Sequence, residues 1–228
     1  MLPFTGGVHS SSIDLFDLFP HFLTLSLIPL RFKGENEDYL GQAMVGLLLG
    51  DGSLVKKYAG GATYFKYAQG KIHYEYIIHV FSLFKQAGVV LMSEPSMGTT
   101  TLKGVVHVWY QFSTQSLTTW NALHAIWYVN GVKVIPENIY HLLTPIALAY
   151  WLIDDGGWTK GGIHLATNSF TPDDTKRLAE VLSSKYGLKV SIHSRNRIYI
   201  WARSVSDFSN IVRPYIHPSM SYKITPVL

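Results

Sequence analysis

The sequence predicts an α+β fold made of two pseudo-twofold related repeats, each running helix–strand–strand–helix–strand–strand–helix (αββαββα). Three observations predict it. Met44-Val45-Gly46-Leu47-Leu48-Leu49-Gly50-Asp51-Gly52 and Leu148-Ala149-Tyr150-Trp151-Leu152-Ile153-Asp154-Asp155-Gly156 both read as apolar helices that finish on a carboxylate and a glycine. Each is followed by strand-forming residues around a glycine pair, Gly60-Gly61 and Gly161-Gly162. Each half closes on Lys-x-x-Pro, from Lys133 to Pro136 and from Lys223 to Pro226. The aspartates Asp51 and Asp155 stand 104 positions apart and the lysines 90, and the difference falls in the longer strand region of the first copy. Length change in loops with retained elements is what a diverged duplication leaves.

In the first copy, residues 53–59 and 62–69 form a hairpin, since glycine accepts the positive φ of a tight turn. A helix over 74–87 follows, with Ile77, Ile78, Phe81 and Phe84 at helical spacing and Gly88 as its stop. A second strand pair is expected over 89–92 and 105–113, then a helix over 115–129. In the second copy the hairpin strands are 158–160 and 163–168. Thr171-Pro172-Asp173-Asp174 starts a helix with a capping hydroxyl, proline in the first turn and acids facing the dipole. Leu178, Val181 and Leu182 give its buried stripe and Gly187 its end. Strands over 189–193 and 198–203 flank the basic turn Ser194-Arg195-Asn196-Arg197, and the second alternates, Ile198, Ile200 and Ala202 against Tyr199, Trp201 and Arg203. A last helix is expected over 205–215. The domains are therefore an N-terminal arm over 1–37, a first repeat over 38–143 and a second over 144–228.

Composition narrows the function. The chain has 228 residues, 47% hydrophobic and only 15% charged, which favours a packed core over disorder. Its formal charge of +4 is unevenly spread. Residues 1–38 hold two basic against five acidic side chains, leaving 17 basic against 10 acidic, a net +7, for the rest. Such a body suits a polyanionic partner. With no cysteine there is no disulfide, thiolate zinc site or cysteine nucleophile. Residues 13–30 are apolar but interrupted by Asp14, Asp17, Pro20, His21 and Pro29, too broken for a membrane span, and no basic segment precedes them to make a secretory signal. The ten histidines form no compact ligand pair for zinc, and no phosphate loop supports ATP use.

The chemistry lies in the paired acids. Two apolar helices packed side by side bring Asp51 and Asp155 to one end of their seam. Carboxylates so crowded repel unless a shared proton or a cation offsets them, and hard divalent cations prefer oxygen ligands. Asp155, not Asp154, matches Asp51 through the following glycine, so Asp154 is read as a cap or tuning group.

The paired segments resemble the two motifs of the LAGLIDADG homing endonucleases in their single-chain form. The likeness runs from about residue 38 to the end. The second motif, with the preceding Ile135-Pro136-Glu137-Asn138 and Leu143-Thr144-Pro145, is similar to monomeric enzymes encoded in fungal organelle introns. The resemblance implies antiparallel sheets forming a DNA-binding saddle, with Asp51 and Asp155 holding Mg2+ (or Mn2+) at its centre. It implies a metal-dependent double-strand cut leaving 3′ overhangs at a long asymmetric site, by a monomer acting on double-stranded DNA, in a mitochondrion or other organelle and without a membrane role. Lys133 and Lys223 resemble the active-site lysines of the family, and Gln69 and Asn168 its solvent-orienting residues at equivalent strand ends. On the expected strands and their tips, Lys56, Lys66, Lys160, His164, Lys189, His193, Arg195, Arg197, Tyr199 and Arg203 are the DNA-reading candidates, with Ser53 and Tyr67 behind them. Trp109, Trp120, Trp127, Trp151 and Trp158 are assigned to the core. Two departures stand out. The small third motif residue is Gly46 in one copy and Tyr150 in the other, so the seam is asymmetric, and the often acidic sixth position is Leu49 and Ile153. The alternative functions are an RNA maturase that assists splicing of its host group I intron, and a DNA-binding protein of the same fold without catalysis.

Overall fold

The computed structural model describes residues 37–159 and 161–225, so the expected arm up to residue 36, Lys160 and Pro226 lie outside the described residues, and Glu37 opens the first helix. The first repeat comprises α1 (Glu37–Leu49), β1 (Ser53–Lys56), β2 (Thr63–Gly70), α2 (Tyr74–Gln86), β3 (Ser96–Leu102), β4 (Val105–Ser113) and α3 (Asn121–Trp127). A small hairpin, β5 (Tyr128–Val129) and β6 (Val132–Lys133), and a short helix, α4 (Ile139–Leu142), lead to the second repeat. That repeat comprises α5 (Pro145–Asp155), β7 (Gly156–Thr159), β8 (Gly162–Leu165), α6 (Pro172–Tyr186), β9 (Val190–His193), β10 (Arg197–Trp201) and α7 (Ala202–Val212). The expected αββαββα order is thus present in both copies.

Each repeat builds one open four-stranded antiparallel sheet, in the orders β1-β2-β4-β3 and β7-β8-β10-β9. Side chains alternate across a strand, and β2 shows it: Thr63, Phe65, Tyr67 and Gln69 are buried, while Tyr64, Lys66, Ala68 and Gly70 face outward. The buried face packs on the helices. In the first repeat Phe65 stacks on Phe84 with ring centroids 4.7 Å apart, and Phe112 closes against Phe81 and Phe84. In the second, Ile163, Leu165, Ile198 and Ile200 meet Leu178, Leu182 and Phe208. The outward faces of both sheets are left open.

The two motif helices hold the halves together. Every residue from Leu40 to Leu49 on α1 and from Ala147 to Ile153 on α5 is buried, as expected of helices apolar on all sides. α1 packs along α5 at Gly46, where an added Cβ would press into the Ala147 carbonyl oxygen and the Tyr150 Cβ. The asymmetry expected at this position is therefore real: Tyr150 fills one side, its hydroxyl hydrogen-bonding His79 Nε2 at 2.8 Å. Local signals set the helix limits. Thr144 caps α5 by accepting from the Ala147 N–H, and Thr171 caps α6 by accepting from the Asp174 N–H. Gly187 ends α6 in the left-handed region at φ 66°.

Several expectations are corrected. Residues 89–92 form no strand; Val89 and Val90 are buried connectors, and the edge strand is instead the polar Ser96–Leu102. The helix expected over 115–129 is a 3-10 turn (Thr118–Trp120) followed by α3, and its last two residues belong to β5. That small hairpin turns on Asn130-Gly131, both at positive φ, a pair favoured in two-residue turns. The last helix starts at Ala202, so Arg203 sits on α7 and not on a strand. Of the glycine pairs, Gly161 takes positive φ, whereas the first hairpin spans a longer loop in which neither glycine does. Trp120, Trp127 and Trp151 are core residues and Trp158 packs on the core, but Trp109 is not among them.

Gly46→Ala should destabilise the protein by about 1–3 kcal/mol, because the helices must separate to admit the methyl group. Gly60→Ala, where an added Cβ meets no atom within 4 Å, should stay within about 0.5 kcal/mol. The midpoint of urea unfolding, followed by circular dichroism, reads both.

Candidate active site and nucleic-acid interface

The C-terminal ends of α1 and α5 meet where the two sheets begin. Each is gripped by a lysine of its own repeat. Lys133, on β6, donates to the Leu48 and Gly52 carbonyls at 3.0 and 2.6 Å, and Lys223 donates to the Gly156 carbonyl at 2.6 Å. Gly52 and Gly156 are matching positions of the repeat, so the two cations do the same thing. Cations at helix C-termini satisfy unpaired carbonyls and suit the negative end of the dipole.

Around this junction lies a buried polar bracket. Gln69 Nε2 donates to Asp51 Oδ2 at 2.7 Å and to the Tyr67 hydroxyl at 2.9 Å. Tyr67 donates to Asp154 Oδ1 at 2.6 Å, and Asp154 Oδ2 accepts from the Asp51 backbone N–H at 3.1 Å. Asp154 thus caps across the pseudo-dyad, as its reading as a cap anticipated. Its match in the first repeat is Gly50, and the space a side chain there would need is filled by the Asp154 carboxyl. Tyr67 is more central than a secondary DNA contact.

Charge is concentrated accordingly. Burial raises the Asp51 carboxyl above the usual range, against the pull of Gln69, Lys133, Lys223 and His73. Burial and the neighbouring Asp51 push Asp155 up to about 7, with Lys133 and Lys223 opposing. Asp154 is driven well above the ordinary value by burial and by Asp51. Burial lowers both lysines while the three acids hold them up. Burial also lowers His73, which lies within electrostatic reach of Asp51 and Lys223.

Among the described residues no three or more histidines and carboxylates form a closed metal cage. Two crowded carboxylates fit an ion that keeps several waters and takes its remaining ligands from a substrate phosphate, the habit of Mg2+. The acids carry the cost of mutual repulsion that such an ion would remove.

Gln69 and Asn168 do not share a role. Leu54 opposite Phe65 matches Trp158 opposite Ile163, so the counterpart of Gln69 is Thr167. Thr167 is buried and donates to the Asn196 carbonyl, while Asn168 is exposed in a turn beyond β8. No amide stands in the place of Gln69 beside Asp155.

Most of the DNA-reading candidates lie on the open faces. Lys66 pairs with Ser53 and Ser113 on the first sheet's open face. His164, His193, Arg197 and Tyr199 share that of the second, with Lys189 just ahead of β9 opposite Trp201. Arg195 and Asn196 form the β9–β10 turn, both at positive φ, and Asn196 is tied down by donating to the Phe170 carbonyl and to Thr175 Oγ1. His164, His193, Arg195, Arg197 and Tyr199 line a hollow of about 410 Å³, with the His193 and Tyr199 rings stacked at 4.5 Å. Lys56 lies opposite Thr63 on the core side of its strand, near His124. Arg203, on α7, sets its guanidinium 5.0 Å over the Trp201 ring. Missed by sequence reasoning were His73 and the open-face residues Tyr64, His107 and Trp109. Counting alternation back from Phe112 places Trp109 off the core; for His73 the sequence carries no such signal.

An acid whose folded pKa is raised binds more protons folded than unfolded, so stability falls as pH rises between the two values. Asp155 lies near 7 against about 4 in the unfolded chain, and Asp51 and Asp154 shift the same way. Without metal, unfolding midpoints should fall from about pH 4 to pH 7, and Asp155→Asn should flatten that slope and stabilise the protein above pH 7. A urea series across pH with and without Mg2+ checks both.

Comparison with known proteins agrees with this architecture. A family model described as the LAGLIDADG DNA endonuclease family matches residues 41–208. The chain is 35% identical over 201 residues to the cytochrome b mRNA maturase bI2 of Debaryomyces hansenii, covering 86% of this chain and 77% of that protein. It is 32% identical to the Saccharomyces cerevisiae maturase bI2, over 78% of this chain but only 45% of that longer protein. The intron-encoded endonuclease ai4 of Dictyostelium discoideum is 37% identical over 121 residues, half of this chain and 76% of that protein. The solved structure of the homing endonuclease I-WcaI bound to its DNA recognition sequence shares the fold, with a TM-score of 0.74 at 24% identity over 89% of this chain and 99% of that one. With its paired motif helices, its two open sheets and a family match over most of its length, the chain belongs to the LAGLIDADG homing endonuclease family.

Proposed function

We propose that this chain is a site-specific double-strand DNA endonuclease that hydrolyses phosphodiester bonds with Asp51 and Asp155, leaving 3′ overhangs at a long asymmetric site. The observation that carries the reading is the meeting of both acids at the ends of the paired helices, where the two open sheets begin. Divalent metal held by Asp51 and Asp155 would offset charge on the scissile phosphate and make a bound water more acidic. The chain's own residues do the positioning. Gln69 fixes one oxygen of Asp51, and Asp154, held by Tyr67, fixes the backbone from which Asp51 projects. Lys133 and Lys223 anchor the helix ends and keep positive charge beside the acids, favouring their ionised form and opposing charge that builds on the phosphate. The open faces supply phosphate and base contacts, through Lys66 in one sheet and Lys189, Arg195 and Arg197 in the other. We take the protein to act as a monomer, since both motifs lie in one chain, and in an organelle, as its intron-linked relatives suggest.

A second reading has a specific observation behind it: two of the relatives similar over most of this chain are mRNA maturases. Under it the same body binds intron RNA and promotes splicing, alone or beside cleavage. Retention of both motif acids and both lysines favours cleavage.

Purified protein offered a library of organellar genes and intronless junctions in Mg2+ should make one discrete double-strand cut. Asp51→Asn and Asp155→Asn should each lower the cutting rate at least a hundredfold while leaving binding of the selected duplex intact. Site-specific binding without a cut by the unaltered protein would reject the nuclease reading. Affinity should fall steeply with salt, and Arg197→Ala should lower the slope of log K against log salt by about 0.9 if it holds one phosphate.

A further inference from the structure

The two open faces are chemically unlike. The outer hairpin of the second sheet presents Lys189, His193, Arg195 and Arg197, all cationic or able to become so, beside Tyr199 and the Trp201 indole, which donates to Ser191 Oγ at 2.9 Å. The outer hairpin of the first sheet presents something else. Its register places Leu102 opposite Val105, Thr100 opposite His107 and Gly98 opposite Trp109, all on the same side as Gln111, Ser113 and Lys66. Leu102 and Val105 are 59% and 57% exposed, and the turn between them, Lys103-Gly104, carries the hairpin's one lysine or arginine. The Trp109 indole lies flat across Gly98, where a Cβ would strike its ring, and donates to Thr100 Oγ1 at 3.3 Å. The indole is thus pinned in place. The open face thus carries apolar groups at Trp109 and at the outer pair Leu102–Val105, with the polar pair Thr100–His107 between them, on the strand next to the one that carries Lys66.

Exposed aliphatic side chains on a soluble sheet face lose free energy to water unless a partner covers them. Valine and threonine alone would follow from strand propensity, and Val106 on the opposite face is as exposed. Leu102, at the outer end of the open face, is not explained that way. In a major groove the one apolar group on a base edge is the thymine 5-methyl, and aliphatic side chains are its partners. We infer that the β3–β4 hairpin recognises thymine methyl groups, so that the first repeat reads its half-site by apolar contact while the second reads its own by charge and hydrogen bonds. This rests on the DNA-binding reading above and adds to it the chemistry of one half-site. RNA carries uracil, which lacks that methyl, so contacts by Leu102 and Val105 favour DNA over RNA.

The test uses the full chain and the duplex it selects. Each thymine of one half-site, then of the other, is replaced by deoxyuridine, which removes the methyl and leaves base pairing intact. In the half-site of the first repeat, affinity should drop about three- to fivefold per contacted methyl, as expected for one buried carbon. In the half-site of the second repeat it should not change. Leu102→Ser with Val105→Ser, both exposed and outside the core, should bind the thymine duplex more weakly and no longer distinguish it from the deoxyuridine duplex. Thermal unfolding of that variant shows that it stays folded. Deoxyuridine without effect in either half-site, an equal loss in both, or an undiminished loss in the double variant would overturn the inference while leaving DNA binding in place. Failure to select any duplex would remove both readings, and selective retention of intron RNA through the same hairpin would do so in favour of the maturase.

Discussion

The close approach of α1 to α5 at Gly46 is the constraint on which the rest of the molecule rests. Because no side chain separates the helices there, their ends converge, and with them two carboxylates that in water would stay apart. Burying like charges together is costly and is tolerated only when counter-charge and hydrogen bonds are built around them. The structure supplies both. Two lysines grip the helix-end carbonyls, and the Gln69–Tyr67–Asp154 bracket ties the first motif's acid to the second motif's helix. The sheets start from those same ends, so the position of each open face relative to the acids is fixed by the seam.

The pseudo-symmetry of this centre is partial, and its breaks have a pattern. Backbone and lysine anchors are kept in both halves, while the residues that touch the acids are not: Gln69 meets Asp51, and its counterpart Thr167 instead fastens the β9–β10 turn. The open faces diverge more. A cationic, histidine-bearing hollow occupies one, and the other carries the exposed aliphatic pair Leu102–Val105 at its outer end. Each half keeps what holds the seam and varies what meets a partner.

Much of this was legible in the sequence because it depends on local chemistry or on repetition. Thr171, Pro172 and Gly187 mark one helix through capping and backbone preference alone. Asp51 and Asp155, like Lys133 and Lys223, stand out because the chain says the same thing twice. The edge strand Ser96–Leu102 leaves no mark in the sequence because it is exposed on both faces and shows no alternation, while the apolar Val89-Val90 nearby mimics a strand and serves as buried connector. Matching Asn168 to Gln69 rests on where each strand ends, and that strand end is set by sheet register, which depends on partners distant in sequence. The bracket around Asp154 joins positions 85 to 103 residues apart, and no local pattern announces it.

One consequence follows from the fit of Asp154 into the space above Gly50. The two halves are now lock and key to one another. Pairing two first halves would leave a void where the carboxyl belongs, and pairing two second halves would set one carboxyl against another with no glycine to receive either. A dimer of two identical halves would therefore lack this fit, and a chimera that exchanges halves between relatives must carry Gly50 and Asp154 across as a matched pair.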